Sequence, residues 1–260
     1  MGNVRRRTAA AVAALRHPEL PRSDGATEAL DPTAAAVEAA MKRDVEDVAN
    51  IRRLLAFTLP PDANCIDVGA HRGAVLGEMV RVAPQGRHIA FEPLPHLCKV
   101  VRKSFPTVEV HQAALSDHAG EADFAYVHGH AEGWSGLRFR PLPGGEEPEV
   151  EHITVRLEVL DDVLDADYRP HVIKIDVEGA EQQVFAGALE TLRRHRPIVI
   201  FEHGTGSAEA FGTTPADIYQ LLREKAGMRI YDLDGSGPYT GAEFERVFYA
   251  AERVNFVARV

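Results

Sequence analysis

Five short stretches carry residue types whose spacing can do chemistry. The first is Asp67-Val68-Gly69-Ala70-His71-Arg72-Gly73, which joins a β-rich run, Cys65–Val68, to a helical one, Ala74–Val82. Glycines at a strand–helix turn let the backbone approach a ligand closely. The helix start behind them offers unpaired N–H groups. The dinucleotide fingerprint Gly-x-Gly-x-x-Gly is absent, because the spacing is Gly69-x-x-x-Gly73 and His71 stands where the second glycine belongs. Asp67 would repel a pyrophosphate and suits an ammonium, so a ligand with an amino-acid end is expected at Asp67, Gly69, His71 and Gly73. A tight turn without a ligand is the alternative.

The second stretch, Phe91-Glu92-Pro93, lies 23 residues after Gly69. An acid at the end of the second strand, about 20 residues past the glycine turn, can bind both hydroxyls of a ribose. Ala113-Ala114-Leu115-Ser116-Asp117 follows a third strand, Val108–Val110. Ser116 or Asp117 can meet an adenine edge there, with a capped turn as the alternative. The fourth stretch is Lys174-Ile175-Asp176-Val177-Glu178-Gly179-Ala180-Glu181. Lys174, Asp176 and Glu178 alternate along a strand and into a turn, which is costly in a β-core unless the groups are paired or functional. Lys174 is expected to pair with Asp176 or Glu202. The fifth, Phe201-Glu202-His203-Gly204, ends the next strand. Neighbouring strands would set Asp176 opposite Glu202 and His203.

The elements that must position these groups alternate. A helix is expected from Thr33 to Phe57, with Val37, Met41, Val45, Val48, Ile51, Leu54 and Leu55 as its apolar stripe. Strands are expected at Cys65–Val68, His88–Phe91, Val108–Val110, Val172–Asp176 and Pro197–Phe201, with helices at Ala74–Val82, Leu97–Ser104, Ala180–Arg194 and Ala216–Lys225. Met228–Asp232 and Asn255–Arg259 read as two final antiparallel strands. This order implies a mainly parallel, doubly wound sheet covered on both faces. Residues 121–160 break the rhythm as a strand–loop–strand insertion. Its loop, His128–Val150, holds five glycines, three prolines and the single tryptophan, Trp134. A loop of that length is usually functional or disordered. His130 and Trp134 are its candidate substrate contacts. The domain is expected over 31–260, with 31–60 as an N-terminal helix and 1–30 as a mobile extension.

Composition narrows the partners. The 260 residues carry a net charge of −10, against the basic surface that nucleic acid or an anionic membrane would select. Cys65 and Cys98 fit no zinc spacing and read as buried small hydrophobes in a reducing cytoplasm. No apolar run reaches membrane-span length, and neither a signal peptide nor a myristoylation site is expected at the N-terminus. The acidic run Glu146, Glu147, Glu149 and Glu151 is a solvated face or, alternatively, a preference for a cationic acceptor.

Taken together, Asp-Val-Gly-Ala-x-x-Gly, Phe-Glu-Pro, Ala-Leu-Ser-Asp and Lys-Ile-Asp-Val-Glu-Gly-Ala-Glu resemble the FkbM-type methyltransferases over roughly residues 62–203. Val155-x-Leu157-x-x-Leu160-Asp161-Asp162-Val163-Leu164 is also similar to the stretch preceding Lys-Ile-Asp in that family. The resemblance implies the class I Rossmann-like fold with a seven-stranded sheet, S-adenosyl-L-methionine as cofactor, and methylation of a hydroxyl on a sugar or secondary metabolite. It implies that Asp67, Gly69 and Gly73 hold the methionine end, Glu92 the ribose, and Asp117 the adenine. His71 departs from it, since the family often has Asn there.

Two arrangements would activate a hydroxyl. In one, Asp176, Glu202 and His203 bind a divalent cation such as Mg²⁺ or Mn²⁺, which acidifies the hydroxyl. That spacing resembles metal-dependent small-molecule O-methyltransferases, whose third ligand is often Asp or Asn rather than His. In the other, no metal binds and His203 or Glu178 is the base, beside Asp176. The alternatives outside this family are a nicotinamide-dependent oxidoreductase or epimerase and a non-catalytic nucleoside-binding module. A homodimer through the N-terminal helix is a further expectation.

Overall fold

The computed structural model describes residues 32–142 and 147–260. The expected N-terminal extension and Glu146 of the acidic run lie outside the described residues. Helix α1 (Pro32–Thr58) ends ahead of Pro60-Pro61. It is followed by β1 (Asn64–Val68), α2 (Ala74–Val82), β2 (His88–Phe91), α3 (Pro95–Ser104) and β3 (Glu109–His111). The insertion comprises β4 (Ala114–Leu115), β5 (Gly120–Val127), a 3-10 turn (Gly129–Trp134) and β6 (Val150–Glu158). The second half runs α4 (Leu160–Val163), β7 (Pro170–Ile175), α5 (Glu181–Ala186), α6 (Leu189–His195), β8 (Ile198–Glu202), α7 (Ala208–Phe211) and α8 (Pro215–Tyr219). A π-helical segment (Gln220–Lys225), β9 (Arg229–Asp232), α9 (Gly241–Tyr249) and β10 (Asn255–Arg259) complete it.

The main sheet has seven strands in the order β3-β2-β1-β7-β8-β10-β9. This is the class I methyltransferase-like α/β fold. Only β10 runs antiparallel to its neighbours. The two final strands pair antiparallel with each other as expected, and β9 thereby regains the direction of the rest. The strand–loop–strand insertion is an antiparallel β5–β6 pair, and β4 joins it on β6 to make a second sheet, β4-β6-β5.

Other differences have local causes. The single helix expected over Ala180–Arg194 is two. Gly187 sits at the break, where a Cβ would come within 2.1 Å of the Ser116 carbonyl oxygen. Helix α9 was not expected, although its signal is present: Thr240 Oγ1 accepts from Glu243 N at 3.3 Å, and Glu243 Oε2 accepts from Thr240 N at 2.8 Å. On α1, Val45 and Val48 are 56% and 47% exposed rather than part of a buried stripe.

Alternation along the strands divides the core. Ile66, Val68, Ile89, Phe91, Ile173, Ile175 and Phe201 pack on one face. Cys65, Val172, Ile200 and Val257 pack on the other, beneath Leu55 of α1 and Met79 of α2. Tyr168 ties the sheet's lower end together: buried to 1% exposure, its hydroxyl donates to Arg87 O at 2.9 Å and lies 3.2 Å from Cys65 O. Tyr168→Phe should therefore cost about 1 kcal/mol and lower Tm by roughly 2–4 °C in a thermal melt.

Candidate active site

The strand order reverses between β1 and β7, the place where an open α/β sheet binds ligands. A cleft of about 760 Å³ opens there. Its walls come from α1, the loops after β1, β2 and β7, the end of β8, and the 3-10 turn of the insertion.

Asp67 and Lys174 are paired in register on β1 and β7, so their side chains leave the same face. Lys174 Nζ lies 3.4 Å from Asp67 Oδ1 and 3.4 Å from Asp176 Oδ2, and donates to the Gly69 carbonyl at 2.9 Å. Asp67 is fully buried, and its carboxylate meets the Lys174 ammonium and the Leu76 backbone only at long range. Burial pushes its carboxyl above the usual range, with the Lys174 ammonium opposing. An ammonium from a ligand would supply the missing donor. Gly69, at φ 73°, lets the end of β1 touch the end of β7: a Cβ there would lie 1.9 Å from the Asp176 carbonyl oxygen.

Glu92 ends β2 on the Asp67 side of the sheet and is 4% exposed. Its Oε2 accepts from His71 N at 2.7 Å and its Oε1 from Leu94 N at 2.9 Å. Each oxygen keeps accepting capacity, so the carboxylate can take two vicinal hydroxyls. Burial pushes it up to about 7, with the two backbone N–H groups opposing.

Three expected cofactor contacts lie off the cleft lining. Gly73 packs instead against Phe105, whose Cε2 would be 2.4 Å from an added Cβ. Ser116 and Asp117 are drawn away because Ser116 N donates to Glu158 O at 2.9 Å, continuing the pairing of β4 with β6. Asp117 faces a separate hollow of about 230 Å³ with Gln182 and Gln183. Ala113, Ala114 and Leu115 line the cleft in their place.

Beyond the switch point the cleft is polar. Asp176 follows β7 with its side chain 27% exposed. Burial, reinforced by the Asp176 and Glu178 carboxylates, pushes the Glu202 carboxyl well above its usual range. Glu178 is ion-paired with Arg140, whose guanidinium stacks 3.7 Å from the centre of the Trp134 ring. The buried Glu181 braces the turn between them, accepting from Gly179 N at 3.0 Å and Val177 N at 3.3 Å. Trp134 lines the cleft as expected, whereas His130 is exposed and does not. Glu147, Glu149 and Glu151, the described residues of the acidic run, also lie off the lining, and Glu151 meets His128 at 3.1 Å.

Four lining groups carried no sequence signal. Glu132 and Arg140 sit in the irregular insertion. Asp47, on α1, read as an ordinary polar position, and Asn255 as a strand residue. Asn255 Nδ2 donates to Asp47 Oδ2 at 3.0 Å, and burial pushes Asp47 up to about 6.

A family model, the methyltransferase FkbM domain, matches residues 67–230. The chain belongs to the FkbM methyltransferase family. Among curated relatives, the AMB antimetabolite synthetase AmbE of Pseudomonas aeruginosa is 28% identical over 204 residues, covering 64% of this chain and 10% of that protein. The 2-O-methyltransferase NoeI of Sinorhizobium fredii is 27% identical over 158 residues, covering 56% of this chain and 65% of that one. The chain thus spans less than two thirds of either relative. The crystal structure of methyltransferase FkbM from Methylobacillus flagellatus aligns at 14% identity and a TM-score of 0.49, covering 98% of this chain and 59% of that one.

In this FkbM domain the expected three-ligand metal site is not assembled. Successive strand residues point to opposite faces, so Glu202 reaches the cleft and His203 does not. His203 is fully buried, stacked on Phe248 and Phe244 at centroid distances of 4.7 and 6.0 Å. It is corrected both as a metal ligand and as a base. Among the described residues no three His, Cys, Asp or Glu side chains stand as a metal ion requires.

His203 instead links stability to pH. Burial lowers it to about 4, and neither ring nitrogen has a hydrogen-bond partner. Below about 6.5 the unfolded chain binds a proton there that the native state refuses. Stability should fall as pH drops from about 6.5 towards 4, by up to ~3 kcal/mol from this group. Urea melts of His203→Phe should show that slope removed relative to the parent.

Proposed function

We propose that the chain is an S-adenosyl-L-methionine-dependent methyltransferase that methylates a hydroxyl oxygen of a small molecule. The observation that carries this reading is Glu92: a buried carboxylate, both oxygens set by backbone N–H groups, facing a cleft that also holds the donor-deficient Asp67. S-adenosyl-L-methionine has the ribose hydroxyls that the first acid can accept and the ammonium that the second lacks. When bound, it supplies an electrophilic methyl group on a sulfonium. Asp67 and Gly69 would hold its amino-acid end, Glu92 its ribose, and Ala113–Leu115 would flank its base. Membership of the FkbM family supports the reaction class. The 2-O-methyltransferase name of the Sinorhizobium relative supports oxygen as the atom methylated.

The chain's own residues do the remaining work. Orientation supplies much of the rate of such a transfer. Trp134, Arg140 and Glu178 form a wall against which an acceptor can be placed. Asp176 accepts the hydroxyl proton. It is partly exposed in the cleft, anchored by Lys174, and adjacent to Glu202, whose carboxyl burial pushes well above its usual range. Glu178 is engaged by Arg140 and is less available as a base. This arrangement leaves proton removal to a carboxylate rather than to a metal-bound hydroxyl.

Methyl transfer from labelled S-adenosyl-L-methionine to a panel of glycosides and hydroxylated metabolites tests the reading. Asp176→Asn should lower kcat by about 10²–10⁴-fold, and turnover should be unchanged in excess chelator. Loss of turnover on chelation, restored by added Mn²⁺, would reject the carboxylate mechanism. Glu92 gives a second test. Because burial holds it near 7, its proton must leave before the ribose can dock. S-adenosylhomocysteine affinity should rise with pH up to about 7 and then level off. Titration calorimetry in buffers of different ionisation enthalpy should show proton release on binding, and Glu92→Gln should abolish it.

A further inference from the structure

The insertion packs on the cofactor side of the cleft through Phe124, Tyr126 and Val155 against Leu94, His96 and Leu97, and its charged contact there is Glu132. Its side chain is 11% exposed, and its carboxylate lies 2.7 Å from Arg72 Nη2, 2.6 Å from His96 Nε2 and 3.4 Å from His71 Nε2. The Tyr126 hydroxyl is 3.4 Å away. Burial alone would raise its carboxyl; the His96 hydrogen bond and the Arg72 and His71 charges outweigh that and hold it below the usual range. His71 and Arg72 belong to the glycine turn after β1, and His96 to the first turn of α3. The peptide N–H of His71 also holds Glu92 Oε2 at 2.7 Å. One residue therefore touches the ribose carboxylate with its backbone and Glu132 with its ring. Two residues past Glu132 lies Trp134, and Arg140 then ties the same segment to Glu178.

We propose that Glu132 is a positioning residue that makes cofactor binding build the acceptor wall. The inference rests on the cofactor reading given above. A ribose drawing on Glu92 fixes His71. His71 and Arg72 fix Glu132. Glu132 fixes the turn that carries Trp134. Linkage is reciprocal, so an ordered acceptor wall also holds the cofactor more tightly. The consequence is cooperative binding, in which cofactor and acceptor each tighten the other.

Trp134 is the only tryptophan of the chain, so its emission reports this segment without a label. The test follows that emission while S-adenosylhomocysteine is titrated, with calorimetry giving the Kd independently. For the parent protein we expect binding accompanied by an emission change. For Glu132→Gln we expect a roughly tenfold weaker Kd and no emission change at saturation, with a circular dichroism spectrum like the parent's. Arg72→Gln, which removes a partner from the other side, should give the same decoupling in smaller measure and decides the matter if Glu132→Gln does not fold. A general loss of stability would lower Tm but leave the emission change at saturating ligand. An emission change that persists in both variants would overturn the inference, as would calorimetric binding to the parent with no emission change. No calorimetric binding to the folded parent would instead reject the cofactor reading, and this inference with it.

Discussion

The site depends on one buried electrostatic constraint, the register pairing of Asp67 on β1 with Lys174 on β7. Two charges facing each other on adjacent strands of a covered sheet are tolerable only as a pair. Removing one partner of such a pair typically costs about 3–5 kcal/mol, because the other is left buried and uncompensated. The ammonium also serves Asp176 and the Gly69 carbonyl, so it fixes the ends of both strands and the turn between them. Ligand chemistry is possible here because the pairing is incomplete. Beyond the Lys174 ammonium, the buried Asp67 carboxylate at the cleft wall has no charged partner among the described residues.

Strand alternation then decides which acids reach the cleft. On the face covered by α1 and α2, the strands bring Asp67, Glu92, Lys174 and Glu202 to the carboxyl edge of the sheet, with Asp176 directly following. On the opposite face the same edge is closed by aromatic packing of Phe201, Phe256 and His203 against α9. One edge therefore carries a wet, charged side and a dry, aromatic side. Elements outside the matched family region complete the wet side, since Asp47 of α1 and Asn255 of β10 meet across it.

The sequence made the regular part of this legible. Helix α2 and strand β2 lie where periodicity put them, and Asp67, Gly69 and Glu92 line the cleft because a strand end followed by a glycine turn constrains its residues locally. The grouping of Glu202 with His203 failed for a reason visible in the sequence itself, since adjacent strand residues cannot face one crevice. Ser116 and Asp117 failed for a non-local reason: the two-residue strand β4 pairs with β6, more than 40 positions away, and turns the chain aside. Glu132, Arg140 and Asp47 were invisible because irregular loops and long helices carry no periodic signal for the partner they will meet.

The most direct measurement is a crystal structure of the protein with S-adenosylhomocysteine. The account predicts both ribose hydroxyls on the Glu92 carboxylate, the amino group beside Asp67, and the sulfur directed towards Asp176. A nucleoside bound elsewhere, or bound in this cleft with its ribose away from Glu92, would contradict it.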